Sequence, residues 1–271
     1  MPQTLTDSMA ARLAREPVVL VSVEATQGSV PREAGAWMAV FADALIGTVG
    51  GGHLEFEATE LARNALAGAA LEPQRRFALG PSLGQCCGGV VHLRFELLGP
   101  VDASATSERL HAQADARRMP VALFGGGHVG HAIVQALAPL PVRVRWVDSR
   151  DEVFPVDLPR WIECEHSAPV QAAVADLDAG SRVLVMSFSH AEDLDIVAAC
   201  LQRQRLRADL PFIGLIGSKS KWGSFRHRLE ARGFSAAELA HITCPIGVAG
   251  VVGKEPEVIA AAAAAQLMQL R

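Results

Sequence analysis

Short apolar runs broken by glycine turns dominate the first hundred residues. Val18-Val19-Leu20-Val21-Ser22-Val23 reads as a strand, and Ala36–Phe41 and Leu45–Val49 read as two more, joined by a turn near Ala42-Asp43-Ala44. Leu54, Ala58, Leu61, Ala62, Ala65 and Leu66 then recur at helical spacing, with Gly68 as the natural stop. Strands over Arg75–Leu79 and Val90–Leu98 flank an adjacent cysteine pair, and Met1–Pro17 predicts a short polar helix. Pro100–Pro120 is polar with a helix-like middle, Glu108–Arg117, and reads as a linker or tether.

Beyond it the pattern changes to strands alternating with helices. Pro120–Phe124 predicts a strand, Gly125-Gly126-Gly127-His128-Val129-Gly130 follows at once, and Ala132–Leu137 predicts a helix. The next strand, Val142–Val147, ends on Asp148. This is a dinucleotide fingerprint in its strand–helix–strand setting, with an acid about 20 residues after the glycines. Gly125 suits a tight turn, Gly127 suits close approach of a pyrophosphate, and Gly130 suits close packing of helix on strand. On this reading Gly127 takes a positive φ, and Asp148 contacts the ligand without touching the turn. Asp148 suits a free ribose 2′-hydroxyl and Arg150 a 2′-phosphate, and the sequence leaves both open.

Further units follow. Arg182–Met186 predicts a strand leading into Ser187-Phe188-Ser189-His190 and a helix from about Glu192 to Gln204. Pro211–Ile216 predicts another, ending at Gly217-Ser218-Lys219-Ser220-Lys221, with Trp222, Phe225 and Leu229 on one face of the helix it opens. A terminal helix carries Ile259, the alanine run Ala260–Ala265, Leu267 and Leu270. The expected fold class is α/β: a Gly-rich α/β domain over 1–105, then a Rossmann-like, doubly wound parallel-sheet domain over 118–271. His190, Glu192, Asp193 and Asp195 could hold a metal or a substrate, or serve as caps and solvated acids. Ser218 and Lys219 resemble a phosphate nest but lack the upstream glycine of an ATPase loop.

Composition narrows the class. Of 271 residues half are hydrophobic, enough for substantial cores, and the formal net charge is −4 with no Lys/Arg run, which argues against nucleic acid. No apolar run reaches the length of a membrane span, and the first residues lack the apolar core of a secretory signal. Five cysteines, an odd number, do not suggest a disulfide framework. A soluble cytoplasmic protein with reduced thiols is expected.

The chemistry concentrates at Gln85-Cys86-Cys87-Gly88-Gly89. Two thiols in a glycine-rich bend suit sulfur transfer, a transition metal or redox exchange, or else two small buried apolar residues. Gly50-Gly51-Gly52 directly before a helix offers amides to a phosphate, and Arg32 can fork to a phosphate or a carbonyl edge. The same triplet reads equally as a strained turn without ligand, and Arg32 as a surface ion pair.

Gly28-Ser29-Val30-Pro31-Arg32, Gly35-Ala36, Gly47-Thr48-Val49-Gly50-Gly51-Gly52-His53-Leu54-Glu55 and the segment Leu83–Gly89 together resemble the XdhC-type xanthine dehydrogenase accessory proteins. The second half resembles that family's Rossmann domain, including Cys244-Pro245-Ile246-Gly247. Ser189 stands where threonine is expected and keeps the hydroxyl. The resemblance implies a molybdenum cofactor chaperone rather than an enzyme. Such a protein holds molybdopterin or its cytosine dinucleotide while a cysteine desulfurase installs the sulfido ligand, then delivers it to apo-xanthine dehydrogenase. It implies cofactor contacts at Arg32, Gly50, Gly51, Gly52, Glu55, Gln85, Cys86, Cys87, Gly125, Gly127, Gly130, Asp148, His190, Ser218 and Lys219. Cys86 and Cys87 would face molybdenum, NAD(P) is a further cofactor for the second half, and a homodimer suits a protein that docks a large enzyme. Two rivals are an NAD(P)-dependent oxidoreductase and a thiol or persulfide sulfur carrier. The chain has no tyrosine, so a Tyr/Lys dehydrogenase mechanism is impossible.

Overall fold

The computed structural model describes residues 4–79 and 88–271. The chain divides into two compact units, Pro2–Ala114 and Asp115–Arg271.

In the first unit, α1 (Leu5–Leu13) begins at Thr4, whose hydroxyl accepts from the Asp7 amide while the Asp7 carboxylate accepts from the Thr4 amide. Strands β1 (Val18–Gln27), β2 (Trp37–Val40), β3 (Leu45–Gly47), β4 (Gln74–Ala78) and β5 (Val90–Leu98) form an antiparallel sheet in the order β3-β2-β1-β5-β4. Successive side chains of a strand face opposite ways. Val19, Val21 and Val23 therefore pack with Leu54, Ala58 and Ala62 of α2 (Gly52–Leu66), whereas Val18 and Leu20 pack with Met9 and Leu13 of α1. The expected tether is a packed element instead. Pro100–Asp102 is a 3-10 turn, and α3 (Ala103–Ala116) buries Thr106 and Leu110, with His111 on Asp7 at 2.9 Å. The helix-like middle expected over Glu108–Arg117 is thus part of a longer helix, and with only those two side chains buried its apolar stripe is too sparse to advertise packing.

The second unit carries β6 (Met119–Phe124), β7 (Val142–Asp148), β8 (Ile162–His166), β9 (Arg182–Val185), β10 (Phe212–Leu215) and β11 (Ile242–Thr243). All pairs are parallel and the order is β11-β10-β9-β6-β7-β8, so the winding reverses between β6 and β9. That reversal opens a crevice at the carboxyl ends of the strands. One face of the sheet packs on α4 (His128–Leu137) and α8 (Pro256–Gln269). The other packs on Val170–Asp176, α5 (His190–Arg207), α6 (Lys219–Ala231) and α7 (Ala236–Leu239). Among the described residues no helix is long and apolar enough to cross a membrane.

Arg203 locks α5 to its surroundings. It is 6% exposed, forks onto Asp209 at 2.9 and 2.7 Å, and donates to the carbonyls of Val174, Ala175 and Leu177. Arg203→Met leaves Asp209 and the carbonyls of Val174 and Leu177 without the guanidinium donor and is expected to cost about 3 kcal/mol or more in chemical denaturation. The same pair predicts acid sensitivity. The guanidinium of Arg203 holds the Asp209 carboxyl below its usual range. Its contribution is therefore complete above the unfolded value, roughly 3.9, and is lost as pH falls through the lower folded value. An Arg203→Met protein should show a shallower loss of stability than the parent chain as pH falls below about 4.

Candidate functional site

The crevice of the second unit is built by the loops that follow β6, β7, β9 and β10. Gly125 leaves β6 with φ +128°, and a methyl group there would lie 2.0 Å from the Met186 carbonyl oxygen. A methyl on Gly130 would lie 2.0 Å from the Gly125 carbonyl oxygen, so α4 seats directly on the turn. Trp146, wholly buried, donates its indole N–H to that same carbonyl at 2.9 Å. Gly127 differs. It is the N-cap of α4 with φ −81° and ψ −177°, a conformation open to any residue, and a methyl there meets nothing within 4 Å. The expected positive φ at Gly127 is thus corrected, because the turn closes at Gly125 and the chain is already extended two residues later.

Asp148 is also corrected. It is 1% exposed and its Oδ2 accepts from the Gly126 amide at 2.6 Å. Arg150 supplies three further donors, its amide and Nε to Oδ1 at 2.8 Å and Nη2 to Oδ2 at 3.0 Å. Burial opposes the charge, but these hydrogen bonds outweigh it and hold the carboxyl below its usual range. Far from leaving the turn untouched, Asp148 braces it. Gly127→Val is therefore the cleaner ligand probe and Asp148→Ala the disruptive one.

The other two strand ends carry helix caps. Ser189 accepts from the Glu192 amide at 3.2 Å and Ser218 from the Lys221 amide at 3.2 Å. His190 and Lys219 open α5 and α6 and are exposed, with the His190 ring edge-on to Phe225 at 6.2 Å. The acids after His190 do not gather. Glu192 takes the Ser149 hydroxyl at 2.7 Å, Asp195 takes Arg232 at 2.7 Å, and Asp193 takes Lys221 at 2.6 Å. Among the described residues no group of three or more His, Cys, Asp or Glu side chains could hold a metal ion.

Asp193 is the residue the sequence reading undervalued. Expected as a metal or substrate contact, or else a cap or solvated acid, it is 2% exposed and also accepts from the Ser187 amide and hydroxyl, while Lys221 donates onward to the Ile216 carbonyl at 2.8 Å. The pair staples the loops after β9 and β10 together. Its signal lay in helical spacing: Asp193 falls on the stripe of Ile196, Val197, Cys200 and Leu201 that α5 buries.

In the first unit three glycine turns meet at one end of the sheet. A methyl on Gly89 would lie 2.4 Å from the Ser29 carbonyl oxygen and 2.6 Å from that of Gln27, and one on Gly50 would lie 2.5 Å from the Pro31 ring. Arg32 is exposed beside Gly50, and among the described residues it has no ion-pair partner. Gly50, Gly51 and Gly52 all have positive φ. The amides of Gly50 and Gly51 are not free for a phosphate as expected. Glu55 Oε2 accepts from the amides of Val49 and Gly51 at 3.2 and 3.1 Å and from the Thr48 hydroxyl, which in turn accepts from the Gly50 amide at 3.1 Å. The anion in this nest is the chain's own. Gln85, Cys86 and Cys87 lie outside the described residues. Of the remaining thiols, burial pushes Cys200 up to about 12 and raises Cys244 as well.

Residues 121–267 match the XdhC Rossmann domain, and residues 11–77 match the XdhC and CoxI family. The chain belongs to the XdhC family. The uncharacterized protein YqeB of Escherichia coli is 25% identical to this XdhC-family chain over 264 residues, 94% of its length. The chain spans 44% of that relative. A solved structure described as a xanthine dehydrogenase from Bacillus halodurans superposes with a TM-score of 0.70, covering 97% of this chain and 94% of the other. At 18% identity that likeness shows the fold alone.

Proposed function

We propose that this chain is a molybdenum cofactor chaperone. Membership of the XdhC family points to a role in xanthine dehydrogenase maturation. The finer reading rests on one observation: the glycine turns of the first unit converge. Gly88 and Gly89, which follow the cysteine pair in sequence, pack against the turn that carries Arg32, and that turn packs against Gly50. A guanidinium suited to a phosphate or to the pterin edge thus shares a corner with the chain leading out of a thiol pair suited to molybdenum. The chain would hold molybdopterin or its cytosine dinucleotide while a cysteine desulfurase acts on it, and pass it to apo-xanthine dehydrogenase in the cytoplasm. A homodimer suits that exchange. The second unit would take NAD(P) at the open amino end of α4, where Gly127 leaves room.

Protein purified from cells that make molybdopterin is expected to carry about one molybdenum and one pterin per chain, held at a Kd on the order of micromolar, about −8 kcal/mol, because delivery requires release. Cys86→Ala and Cys87→Ala should each lower retention with an unchanged melt, while Cys164→Ala and Cys200→Ala should leave retention intact. Metal analysis and oxidised-pterin fluorescence read the outcome. Neither molybdenum nor pterin, with cofactor in excess, would overturn the proposal.

A further inference from the structure

A carboxylate offers about four acceptor positions. All four on Asp148 are filled, three of them by Arg150, and the side chain is 1% exposed. A ribose diol has nowhere to donate at this acid while Arg150 stays where it is. At Glu192, which is bonded to Ser149, the residue after Asp148, the opposite condition holds. Glu192 accepts the Ser149 hydroxyl on Oε1, but its Oε2, buried from solvent, has no hydrogen-bond partner among the described residues. A buried carboxylate oxygen without a donor is costly and calls for an explanation. Arg150 itself is 37% exposed in its side chain, and its guanidinium rests 4.6 Å from the centre of the Phe188 ring, which is 68% exposed.

We infer that Arg150 is a gate on the nucleotide site of the second unit, occupying Asp148 when the site is empty and swinging to Glu192 Oε2 when a ribose takes its place. The exchange conserves hydrogen bonds. The two hydroxyls of the ribose replace side-chain donors of Arg150 on Asp148, Gly126 keeps its bond, and the displaced guanidinium satisfies the oxygen that lacked a donor. Charge is conserved as well, since Arg150 passes from one carboxylate to another. Apparent affinity is lowered by the fraction of time the gate stands closed. The gate rests on the nucleotide reading of the glycine loop and is independent of the cargo assigned to the first unit.

NADH titrated by fluorescence into the full chain tests it. Arg150→Met is expected to bind NADH about tenfold tighter than the parent chain, because the competitor is gone. Adding Asp148→Asn to that variant should abolish the gain. Glu192→Gln should weaken binding by the parent chain and leave Arg150→Met unaffected, a split that a purely structural role for Glu192 would not produce. Phe188→Ala lies on the surface and keeps Asp148 paired, so it serves if Arg150→Met fails to fold; it should tighten NADH binding about threefold by removing the ring that steadies the closed position. Unchanged or weaker binding by Arg150→Met or Phe188→Ala, with measurable binding by the parent chain, overturns the gate alone. Absence of NADH binding in every form overturns the gate together with the nucleotide reading.

Discussion

Gly125→Ala is expected to unfold the unit that spans Asp115–Arg271, while Gly127→Ala, two residues on, leaves its melt nearly unchanged. At Gly125 two penalties combine. The φ of +128° is one that L side chains rarely adopt, and the new methyl would press at 2.0 Å on the Met186 carbonyl oxygen and at 2.6 Å on its carbon. Both are backbone atoms of the residue just after the neighbouring strand β9, whose Met186 amide donates to the Phe124 carbonyl at 2.8 Å, so relief requires parting the sheet at its central pair. A loss above about 4 kcal/mol is expected for Gly125→Ala, against about 0.5 kcal/mol either way for Gly127→Ala. Thermal melts of the two variants side by side decide the matter. A Gly125→Ala protein that melts with the parent chain would mean that the strands are not packed as described.

The second large effect concerns the staple between the loops after β9 and β10. Lys221→Met leaves the buried Asp193 carboxylate without its cation and is expected to cost about 3–5 kcal/mol. Asp193→Leu alone leaves the part-buried Lys221 ammonium without its carboxylate and should cost less than Lys221→Met. The double variant is the informative one. With both charges gone, Leu and Met fill an apolar neighbourhood beside Phe225, and most of the lost stability should return, since a buried ion pair contributes little beyond a hydrophobic replacement. Urea denaturation of the three proteins gives the coupling. A double variant no more stable than either single one would show that Ser187 and the Ile216 carbonyl depend on these side chains for more than charge balance.

The strands of both sheets were legible where they bury a face. Val18–Val23 and Pro120–Phe124 are runs of apolar side chains, and each forms the strand expected of it. Cys164 is expected on a strand edge and lies in the edge strand β8, whereas β11, only two residues long, carries too little pattern to be legible. The glycine spacing of the loop after β6 was equally legible, since Gly125 and Gly130 are dictated by contact with backbone. What occupies each acid was not. Whether Asp148 faces a ligand or Arg150 depends on the path of the chain after β7, and the Asp193–Lys221 pair joins residues 28 apart. The triplet Gly50–Gly52 shows the same limit: a glycine nest before a helix has one sequence signature whether the anion comes from a ligand or from Glu55.

That internal anion has a consequence for the economy of exchange. A receptor whose pocket forms only around its guest holds that guest with the free energy of its own folding, and surrenders it slowly. The Glu55 carboxylate keeps the Thr48–Gly51 turn in shape with no guest at all. On the proposed chaperone reading, arrival and departure of a guest would leave this corner of the chain structurally the same, so its dwell time would be set by its direct contacts and not by the rebuilding of its berth, and the protein could be filled and emptied repeatedly.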